Sequence, residues 1–485
     1  MSVVIDLTAR KGNSPGQRAS ALPEAGVTGV GRYRWRICAL LFFATTLNYM
    51  DRSALSLLKP VLQDPIRGIG MTEVQYAGIV SVFSLAYALG LLFAGPFIDK
   101  VGTRIGYAVA VSIWAIAAMA HSLVPLPFIA LPLQHAAQGV SELLGHLPLL
   151  ANREWVTSIG KLSGAIVGFG VVRFVLGLGE AGNFPSAVKA TAEWFPKRER
   201  AFATGIFNSG TNIGATLAPF AIGFLLYHLA WNWAFLGTSA FAVVWLVLWL
   251  KMYKSPHLDP YVTHSELVYI TSDPPEPVEK VRWLSLLPHR QTWAFLLGKV
   301  FTDPIWWFYL FWLPGFLHVR YGLTVAQMAL PLLVVYNICT IGSVLGGWLP
   351  TKFISLGWSL NRARKTSMLL YAIAITPIVL VSHTHSLWQT VGLVSLVTAA
   401  HQAWSCNLFT LVSDMFPRRT VASVVGIGAC GGSIAMMFFS TIVGNILQRS
   451  HGNYSSVFLM AGVAYLVAIG IIQLLVPRLG AANIN

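Results

Sequence analysis

A chain of 485 residues is long enough for two or three soluble domains, but 55% of its residues are hydrophobic and only 11% are charged, which is more apolar surface than soluble domains could bury. The formal net charge of +15 does not indicate a nucleic-acid partner, because the 33 lysine and arginine residues fall mainly on alternate loops between apolar runs. The composition therefore excludes a soluble globular protein and predicts an all-α membrane protein.

Residues 1–31 are polar and irregular and lack the features of a signal peptide, so we expect a cytoplasmic tail over 1–35 and a retained first membrane helix. After this tail, apolar runs of about 20 residues, the length that spans a hydrocarbon core of about 30 Å, recur along the chain. They predict twelve transmembrane helices in two halves. The first six are expected over 37–58, 74–97, 105–123, 164–185, 202–226 and 233–251, and the second six over 292–313, 323–349, 367–381, 387–411, 421–447 and 456–476.

The predicted outside segment between helices 3 and 4, over 124–160, is much longer than the other loops. It contains apolar stretches, but Pro125, Pro127, Pro132 and Pro148 interrupt it too often for a comfortable membrane span. A thirteenth span would also place the later basic loops on the wrong side of the membrane. We therefore predict an extracytoplasmic loop insertion.

Basic residues before helix 1, between helices 4 and 5 and between helices 8 and 9 predict that these segments and both termini face the cytoplasm. The polar segment 252–291, with a proline cluster and charges of both signs, is predicted as a cytoplasmic linker. It separates an N-terminal six-helix bundle over 36–251 from a C-terminal bundle over 292–477, which is followed by a short cytoplasmic tail over 478–485.

The two predicted halves share a sequence pattern. Residues 193–205, EWFPKRERAFATG, align with residues 414–426, DMFPRRTVASVVG, and Gly210 matches Gly431 in the same register. Transporters built from rocking repeats show weak internal symmetry of this kind. The alternative is that small residues and a basic loop recur by chance in any helical membrane protein. The alignment favours duplication, so we predict two pseudo-symmetric halves.

Several ionisable residues lie inside predicted membrane helices, where each costs roughly 2.5–3.5 kcal/mol near a helix centre unless it is paired or faces an aqueous cavity, and four of them lie on helices 1 and 4. Asp51 and Arg52 lie on helix 1. Arg173 and Glu180 lie on helix 4, seven residues apart and therefore on one face. We expect all four to line one cavity. Static salt bridges between helices 1 and 4 are the structural alternative, which leaves the nearby polar residues unexplained.

Polar side chains from both halves lie at a similar predicted depth, where alternating access requires a substrate site. Individually, each is more often a contact between helices than a contact with a ligand. Their convergence predicts a binding site near the middle of the membrane. The first half supplies Tyr49, Tyr87, Thr211 and Asn212, and the second half supplies Lys299, Asp303, Tyr336, Asn337, His401, Gln402, Ser405 and Asn407.

Two arginines in such a cavity indicate an anionic substrate, because a guanidinium binds a carboxylate through two parallel hydrogen bonds and stays charged. Buried carboxylates beside them can exchange protons when a conformational change separates a pair. We therefore predict Asp51 and Glu180 as proton-coupling residues and Arg52 as the main partner of the substrate carboxylate. Arg173 is predicted to pair with Asp51 in part of the cycle.

The loop after helix 2, GPFIDKVGTR, resembles the signature of the major facilitator superfamily at the same loop. The resemblance implies a major facilitator fold of twelve helices and a cytoplasmic gate contact that involves Asp99 and Arg104. Thr103 stands where the signature usually has a basic residue. The corresponding loop after helix 8 has Thr351 in place of the aspartate, so only the first copy is nearly intact.

Four further segments are similar to the anion:cation symporter family, namely NYMDR in helix 1, RFVLGLGEAGNFPSAVKATAEWFP through helix 4, FNSGTNIGATLAP in helix 5 and AHQAWSCNLFTLVSDMFP in helix 10. The stretch KVFTDPIWWFYLFWLPGFL in helix 7 resembles the hexuronate permease branch of that family. The resemblance covers roughly residues 35–480. It implies proton-coupled import of hexuronates, such as glucuronate and galacturonate, into bacteria across the inner membrane.

By this resemblance, Asp51 and Glu180 match the proton-coupling carboxylates of the family. Thr211 stands where relatives that carry aldonates can have a glutamine, so contacts with substrate hydroxyl groups can differ, and the insertion over 124–160 also departs from the family pattern. The positions that match substrate contacts of the family are Arg52, Tyr49, Tyr87 and Arg173.

Other functions stay open at this stage. Trp306, Trp307 and Trp404 can stack on a sugar or on an aromatic ring, so an aldonate, glucarate or aromatic carboxylate is an alternative substrate, and a membrane sensor could bind the same anion without transport. An enzyme is not expected, because we find no metal-ligand spacing, nucleophile elbow or phosphate-binding loop. We expect a monomer without cofactor or metal, whose partners are a small organic anion, protons and the lipid bilayer.

Overall fold

The computed structural model describes residues 31–146, 153–273, 283–480 and 482. The predicted N-terminal tail up to residue 30, the proline cluster of the linker and the end of the C-terminal tail lie outside the described residues. Every secondary-structure element in the described part is helical. The first half forms α1 (Tyr33–Gln63), α2 (Glu73–Val101), α3 (Thr103–Ala120), α4 (Pro127–Gly145), α5 (Glu154–Gly160), α6 (Gly164–Glu180), α7 (Asn183–Trp194), α8 (Lys197–His228) and α9 (Trp231–Met252).

The linker contains two short 3₁₀ helices, Pro256–Leu258 and Trp283–Leu286, on either side of α10 (His264–Ile270). A third 3₁₀ helix, Thr376–His383, continues α13. The second half forms α11 (Arg290–Tyr321), α12 (Val325–Ser355), α13 (Leu360–Ile375), α14 (Leu387–Met415), α15 (Arg418–Arg449) and α16 (Ser455–Leu475).

The predicted twelve-helix architecture is confirmed. Predicted helix 4 is split into α6 and α7, and predicted helix 9 combines α13 with its 3₁₀ extension, but each pair forms one continuous span, Gly164–Trp194 and Leu360–His383. Within the described ranges, nine helical segments are long and apolar enough to cross a membrane. Three further helices, α1, α11 and α14, are similarly long and carry many of the polar residues predicted for the site, which makes them less apolar.

The insertion over 124–160, predicted as a loop, is largely helical in its described part; residues 147–152, which include Pro148, lie outside the described residues. It forms α4 and the short α5, and a Cβ atom at Gly164 or Gly168 of α6 would collide with residues in or just before α4, so the two helices pack closely. Two prolines fall in this helix. Pro127 occupies its first turn, where a backbone N–H has no partner to lose, and Pro132 lies inside the helix, where it removes one backbone hydrogen bond without ending the helix. The prediction of an irregular loop is therefore corrected.

The same helix pairs pack in both halves. Gly210 of α8 lies against α1, where an added Cβ would be 2.6 Å from the carbonyl oxygen of Phe42, and Gly431 of α15 lies against α11, where an added Cβ would be 2.1 Å from a Leu296 methyl carbon. These two glycines are the ones that align in the sequence repeat. The structure therefore places the aligned segments in equivalent positions of two bundles.

Close helix packing in the second half predicts a clear stability difference between two neighbouring glycines of α12. A Cβ at Gly342 would lie 2.1 Å from the carbonyl oxygen of Ala399 on α14, whereas a Cβ at Gly347 meets no atom within 4 Å. We expect Gly342→Ala to destabilise the protein by about 1–3 kcal/mol and to lower its melting temperature in detergent. Gly347→Ala is the matched control and should leave the melting temperature unchanged. Equal melting temperatures for the two variants would contradict the close packing.

The two halves contact each other on one side of the membrane. We call the side that holds the start of α1 and the end of α16 the termini face, and the opposite side the far face. Near the far face, the backbone N–H of Glu73 donates to Gln448, and Ser81 donates to the Met437 carbonyl at 2.8 Å. Among the described residues, no hydrogen bond between the halves lies nearer the termini face than the contact of Asn212 at mid-height. The far face is closed, and the described hydrogen bonds between the halves do not extend from mid-height to the termini face.

The linker packs against the start of the first membrane helix. Glu266 of α10 is fully buried and accepts hydrogen bonds from the backbone N–H groups of Tyr33 and Arg34, at 3.2 and 3.0 Å. A carboxylate at a helix N-terminus is stabilised by the unpaired N–H groups and by the helix dipole. The linker thus fixes the end of α1 that leads into the membrane.

Candidate functional site

An ion pair between α1 and α6 forms the centre of the site. Arg52 and Glu180 are almost completely buried, and Nε and Nη2 of Arg52 both donate to Oε2 of Glu180, at 2.8 and 2.6 Å. The other carboxylate oxygen, Oε1, has no hydrogen-bond partner among the described residues. Both donors therefore share one oxygen, and the two-oxygen fork of the strongest arginine–carboxylate pairs is absent from this contact.

Four aromatic rings surround the guanidinium of Arg52. Its central carbon lies 4.8 Å from the ring centre of Tyr49, 5.0 Å from that of Tyr87, 5.4 Å from that of Phe83 and 4.9 Å from that of Trp307. Each cation–π contact of this kind contributes about 0.5–2 kcal/mol. Trp307 belongs to α11, so this aromatic cage joins the two halves at Arg52.

Asp51 faces a different neighbour from Arg52. It is buried, its Oδ1 accepts a hydrogen bond from Ser239 of α9 at 3.3 Å, and its Oδ2 has no partner in the described part of the chain. No described ion pair includes Asp51. Burying a carboxylate without a cation costs several kcal/mol, so this position is suited to a group that carries a proton.

Arg173 does not pair with Asp51 in this conformation. It is buried, and none of its three guanidinium nitrogens has a hydrogen-bond partner among the residues described. Polar atoms of Asn48, Asp51 and Glu180 in the same bundle also lack partners there. Buried polar groups are normally hydrogen-bonded, so this concentration marks an interior suited to water, anions or protons. A pairing of Arg173 with Asp51 in another part of the cycle stays a prediction.

The second half contributes an ion pair within α11. Lys299 Nζ lies 2.7 Å from Asp303 Oδ2, one helical turn away, and 4.7 Å from the ring centre of Phe409. Asp303 precedes Trp307 by one turn, and residues at this spacing are neighbours on the helix surface. The second half therefore places a carboxylate next to the aromatic cage.

His401 is held between two aromatic side chains. Its ring stacks on Trp306 of α11 with the ring centres 5.1 Å apart, and its Nδ1 lies 2.5 Å from the hydroxyl oxygen of Tyr465 on α16. Gln402 and Ser405 are half-buried and lie next to His401 on α14, one residue and one turn further along. These three predicted residues thus lie within five positions of α14, and His401 contacts both α11 and α16.

Asn212, Thr211 and Tyr336 lie where the two halves meet at mid-height. Asn212 Nδ2 donates to Thr340 of α12 at 2.9 Å, Thr211 is half-buried beside it on α8, and Tyr336 is buried on α12 one turn from Thr340. The hydrogen bond of Asn212 links the halves, which is the structural role that a polar residue in a membrane helix often has.

Asn337 and Asn407 make their described hydrogen bonds within the second half. Asn337 is exposed on the same stripe of α12 as the exposed residues Ile341 and Val344, and its amide donates to a carbonyl of its own helix. Asn407 is buried and donates to the carbonyl oxygen of Gly346 at 2.6 Å, which fastens α14 to α12. These hydrogen bonds do not test whether the two residues contact a substrate, so that role stays a prediction.

The predicted gate residues lie towards the termini face, and their contacts remain inside the first half. Asp99 pairs with Lys189 of α7 at 2.8 Å, and Arg104 donates to the carbonyl oxygen of Leu250 at 2.5 Å. Neither makes a described hydrogen bond or ion pair with the second half. Their role in gating therefore stays a prediction for a conformation in which the termini face is closed.

The structure adds three residues to the site that the sequence prediction missed. Phe83 and Asn48 each precede a predicted residue by one helical turn, Tyr87 and Arg52 respectively, so helical spacing could have indicated both. Ser239 had no comparable signal, because its contact with Asp51 depends on where α9 packs against α1.

Two pseudo-symmetric six-helix bundles, with a charged and aromatic site between them, define a membrane transporter of the alternating-access class. The chain belongs to the Major Facilitator Superfamily, whose family model matches residues 41–440. Its fold is similar to the crystal structure of a D-xylose-proton symporter, with a TM-score of 0.67 and 16% identity over 92% of this chain and 99% of that one. The predicted superfamily is confirmed, and its members are transporters and not enzymes.

Two curated relatives are similar over most of the chain. The hexuronate transporter of Escherichia coli strain K12 is 28% identical over 85% of this chain and 87% of its own length. The D-galactonate transporter of Escherichia coli O6:H1 is 26% identical over 93% of this chain and 98% of its own length. These relatives agree with the resemblance of the membrane segments to the anion:cation symporter family.

Proposed function

We propose that this protein imports a sugar-acid anion together with protons, by exposing the site around Arg52 alternately to the two sides of the membrane. Hexuronates such as glucuronate and galacturonate are the first candidate substrates. We place the protein in a bacterial inner membrane as a monomer, with the termini face in the cytoplasm. In that orientation the far face, where the halves are closed against each other, lies on the side away from the cytoplasm.

The observation that carries this proposal is the aromatic cage around a buried arginine at the junction of the two halves. A guanidinium has five N–H donors, of which Arg52 uses two for Glu180, so three remain for an incoming carboxylate. The rings of Tyr49, Tyr87 and Trp307 offer flat apolar surfaces to a carbon skeleton. The charge favours an anion, and the rings favour an anion with a sugar-sized body.

The same ion pair offers a route to proton coupling. A substrate carboxylate that binds Arg52 competes with Glu180, whose carboxylate is then left buried without a cation and is more stable when it takes a proton. We propose Asp51 as the second proton site, because it is buried and makes no described ion pair. Substrate binding and protonation are then linked through Arg52.

The remaining residues of the site are proposed to orient the substrate. Polar side chains of α12 and α14 lie at a similar depth to the cage, so they are candidates for contacts with sugar hydroxyl groups. We assign this role to Tyr336, His401, Gln402 and Ser405 from the second half and to Thr211 and Asn212 from the first, with Arg173 as a second cation near the substrate and Asp99 and Arg104 in the gate.

The relatives support the substrate class. Hexuronates and D-galactonate share one carboxylate and a chain of hydroxyl groups, and these are the two features that an arginine and a polar aromatic cage can recognise. The identities of 28% and 26% narrow the substrate to this class and leave the choice among sugar acids to experiment.

Uptake into proteoliposomes tests the proposal directly. We expect labelled glucuronate or galacturonate to accumulate above its external concentration when the outside is made more acidic than the inside, and only to equilibrate when a protonophore removes the gradient. Protein-free liposomes are the control. Uptake that ignores the gradient would contradict proton coupling, and no uptake of either hexuronate would contradict that substrate assignment.

Two alternatives are decided in the same assay. D-galactonate, D-glucarate and benzoate, added as competitors, distinguish an aldonate, an aldarate and an aromatic carboxylate from a hexuronate, and the D-galactonate relative makes the first of these the strongest rival. A sensor would bind one of these anions, detected as a rise in melting temperature, and would show no uptake of it.

A further inference from the structure

A second buried cation lies two helical turns from Arg52 on α1, towards the far face. Lys59 is only 1% exposed and its Nζ lies 2.8 Å from Oε2 of Glu73, on α2. Residues seven apart lie on the same face of a helix and are separated by roughly 10 Å along its axis. Lys59 therefore follows Arg52 on one stripe of α1.

The second half covers Lys59 where the far face is closed. A Cβ at Gly315 of α11 would lie 3.2 Å from Lys59 Nζ and 3.4 Å from the hydroxyl oxygen of Tyr454, so backbone of the second half lies directly against the ammonium. The Tyr454 hydroxyl is buried and has no hydrogen-bond partner among the described residues. The ring of Tyr76 completes the enclosure, with its centre 5.0 Å from Nζ.

The ion pair does not hold the far face closed. Lys59 and Glu73 both belong to the first half, so their attraction adds nothing between the halves, which are joined here by other contacts, such as the hydrogen bond from Tyr76 to the Phe311 carbonyl. Burying a lysine is costly even when it is paired. A function of Lys59 in another conformation, in which the far face is open, would explain why a lysine occupies this position.

Separation of the halves on the far face would uncover this lysine. An ammonium has three donors, and Lys59 uses one of them for its described hydrogen bond to Glu73, so two are available to another acceptor. Among the described residues, Glu73, Tyr76 and Tyr454 lie around the ammonium and Gln63 donates to Glu73, and of these four only Glu73 carries a formal charge. An incoming carboxylate would meet Lys59 before it reaches Arg52.

We propose that Lys59 forms an outer binding station for the carboxylate of the transported anion. When the far face opens, the ammonium shares its donors between Glu73 and the incoming carboxylate, which then moves about two helical turns inwards to Arg52. This outer station depends on the proposed function in one respect only, namely that the transported anion is a sugar acid. Glu73 competes with the anion, which keeps the station weak enough to release it.

Transport kinetics from the two sides test the station. Lys59→Met keeps the length of the side chain and removes its charge, and we expect the KM for uptake from the far face to rise about tenfold, as for the loss of one charge-assisted hydrogen bond. The KM for transport from the termini face should not change. Glu73→Gln should lower the KM from the far face, because it removes the competitor. Arg320→Met removes an exposed cation of the same face and is the matched control.

Equal increases in KM from both sides, or a fall in kcat and melting temperature at unchanged KM, would show that Lys59 only supports the structure. Labelling of Lys59 provides a measurement that does not require transport. A membrane-impermeant amine reagent, applied to the far face, should modify Lys59, and D-gluconate should protect it whereas uncharged D-glucose should not. An unmodified Lys59, or one that D-gluconate does not protect, would overturn the station even if hexuronates are transported. If no sugar acid is transported, the proposed function fails, and protection by D-gluconate would still support the station.

Discussion

Arg52→Lys is expected to reduce gradient-driven uptake by roughly 30- to 5000-fold, the range that corresponds to about 2–5 kcal/mol for disrupting a buried hydrogen-bonded charge pair. Lysine keeps the charge but loses the planar fork that binds a carboxylate and stacks between aromatic rings. In this site both properties are used, because Arg52 pairs with Glu180 and lies within 4.8–5.4 Å of four ring centres. Initial rates of uptake in proteoliposomes measure the effect.

A matched control for this variant is Arg364→Lys. Arg364 also forms a partly buried pair with a carboxylate, Asp414 at 2.9 Å, but between α13 and α14 and outside the site. Uptake by this variant should remain within about twofold of the natural protein, since partly exposed pairs contribute about 1 kcal/mol or less. If Arg52→Lys retained full uptake, the carboxylate partner would have to be sought elsewhere, with Arg173 as the next candidate.

Asp51→Asn is expected to separate exchange from accumulation. The amide is the same size as the carboxylic acid and can still accept the hydrogen bond from Ser239, so the site should remain intact. An amide cannot bind or release a proton at physiological pH, so the accumulation driven by a pH gradient should fall to equilibration, while exchange of internal for external substrate continues. Counterflow and gradient-driven uptake, measured on the same proteoliposomes, give the two readings.

Two other variants serve as comparisons for Asp51→Asn. Glu180→Gln also removes the anionic partner of Arg52, so it should impair both accumulation and exchange. Ser239→Ala removes one neutral hydrogen bond, so it should impair neither accumulation nor exchange by more than about threefold. Accumulation by Asp51→Asn at the natural level would show that Asp51 carries no coupled proton.

The charged residues of the site could be found from the sequence because charge is costly inside a membrane. Asp51, Arg52, Arg173 and Glu180 were expected in one cavity for that reason, and the structure buries all four in the first half. Their pairing could not be found in the same way. Glu180 pairs with Arg52 of α1, and Arg173, which lies on the same helix as Glu180, makes no described hydrogen bond. The partner of a side chain depends on which helix packs beside it, and the sequence does not state this.

Asn337 and the insertion also show that contacts between helices cannot be predicted from the sequence. Depth along a helix follows from residue number, since each residue adds about 1.5 Å, and this placed Asn337 correctly at mid-height. The direction around the helix depends on which stripe is covered, and α12 packs the stripe of Gly342 and Gly346 against α14, whereas Asn337 is exposed. For α4, packing against α6 favours a helix that the prolines of the sequence alone did not predict.

The sequence by itself determined the membrane class, the twelve helices, the repeat and the identity of the central charges, because these follow from hydropathy, loop charge and the cost of buried ions, which are local properties of the chain. The tertiary structure alone decided that Arg52 pairs with Glu180, that Phe83 and Trp307 enclose it and that Lys59 is covered by Gly315. Those contacts join residues from separate helices, and their partners are chosen by the way helix surfaces fit together, which no single stretch of sequence contains.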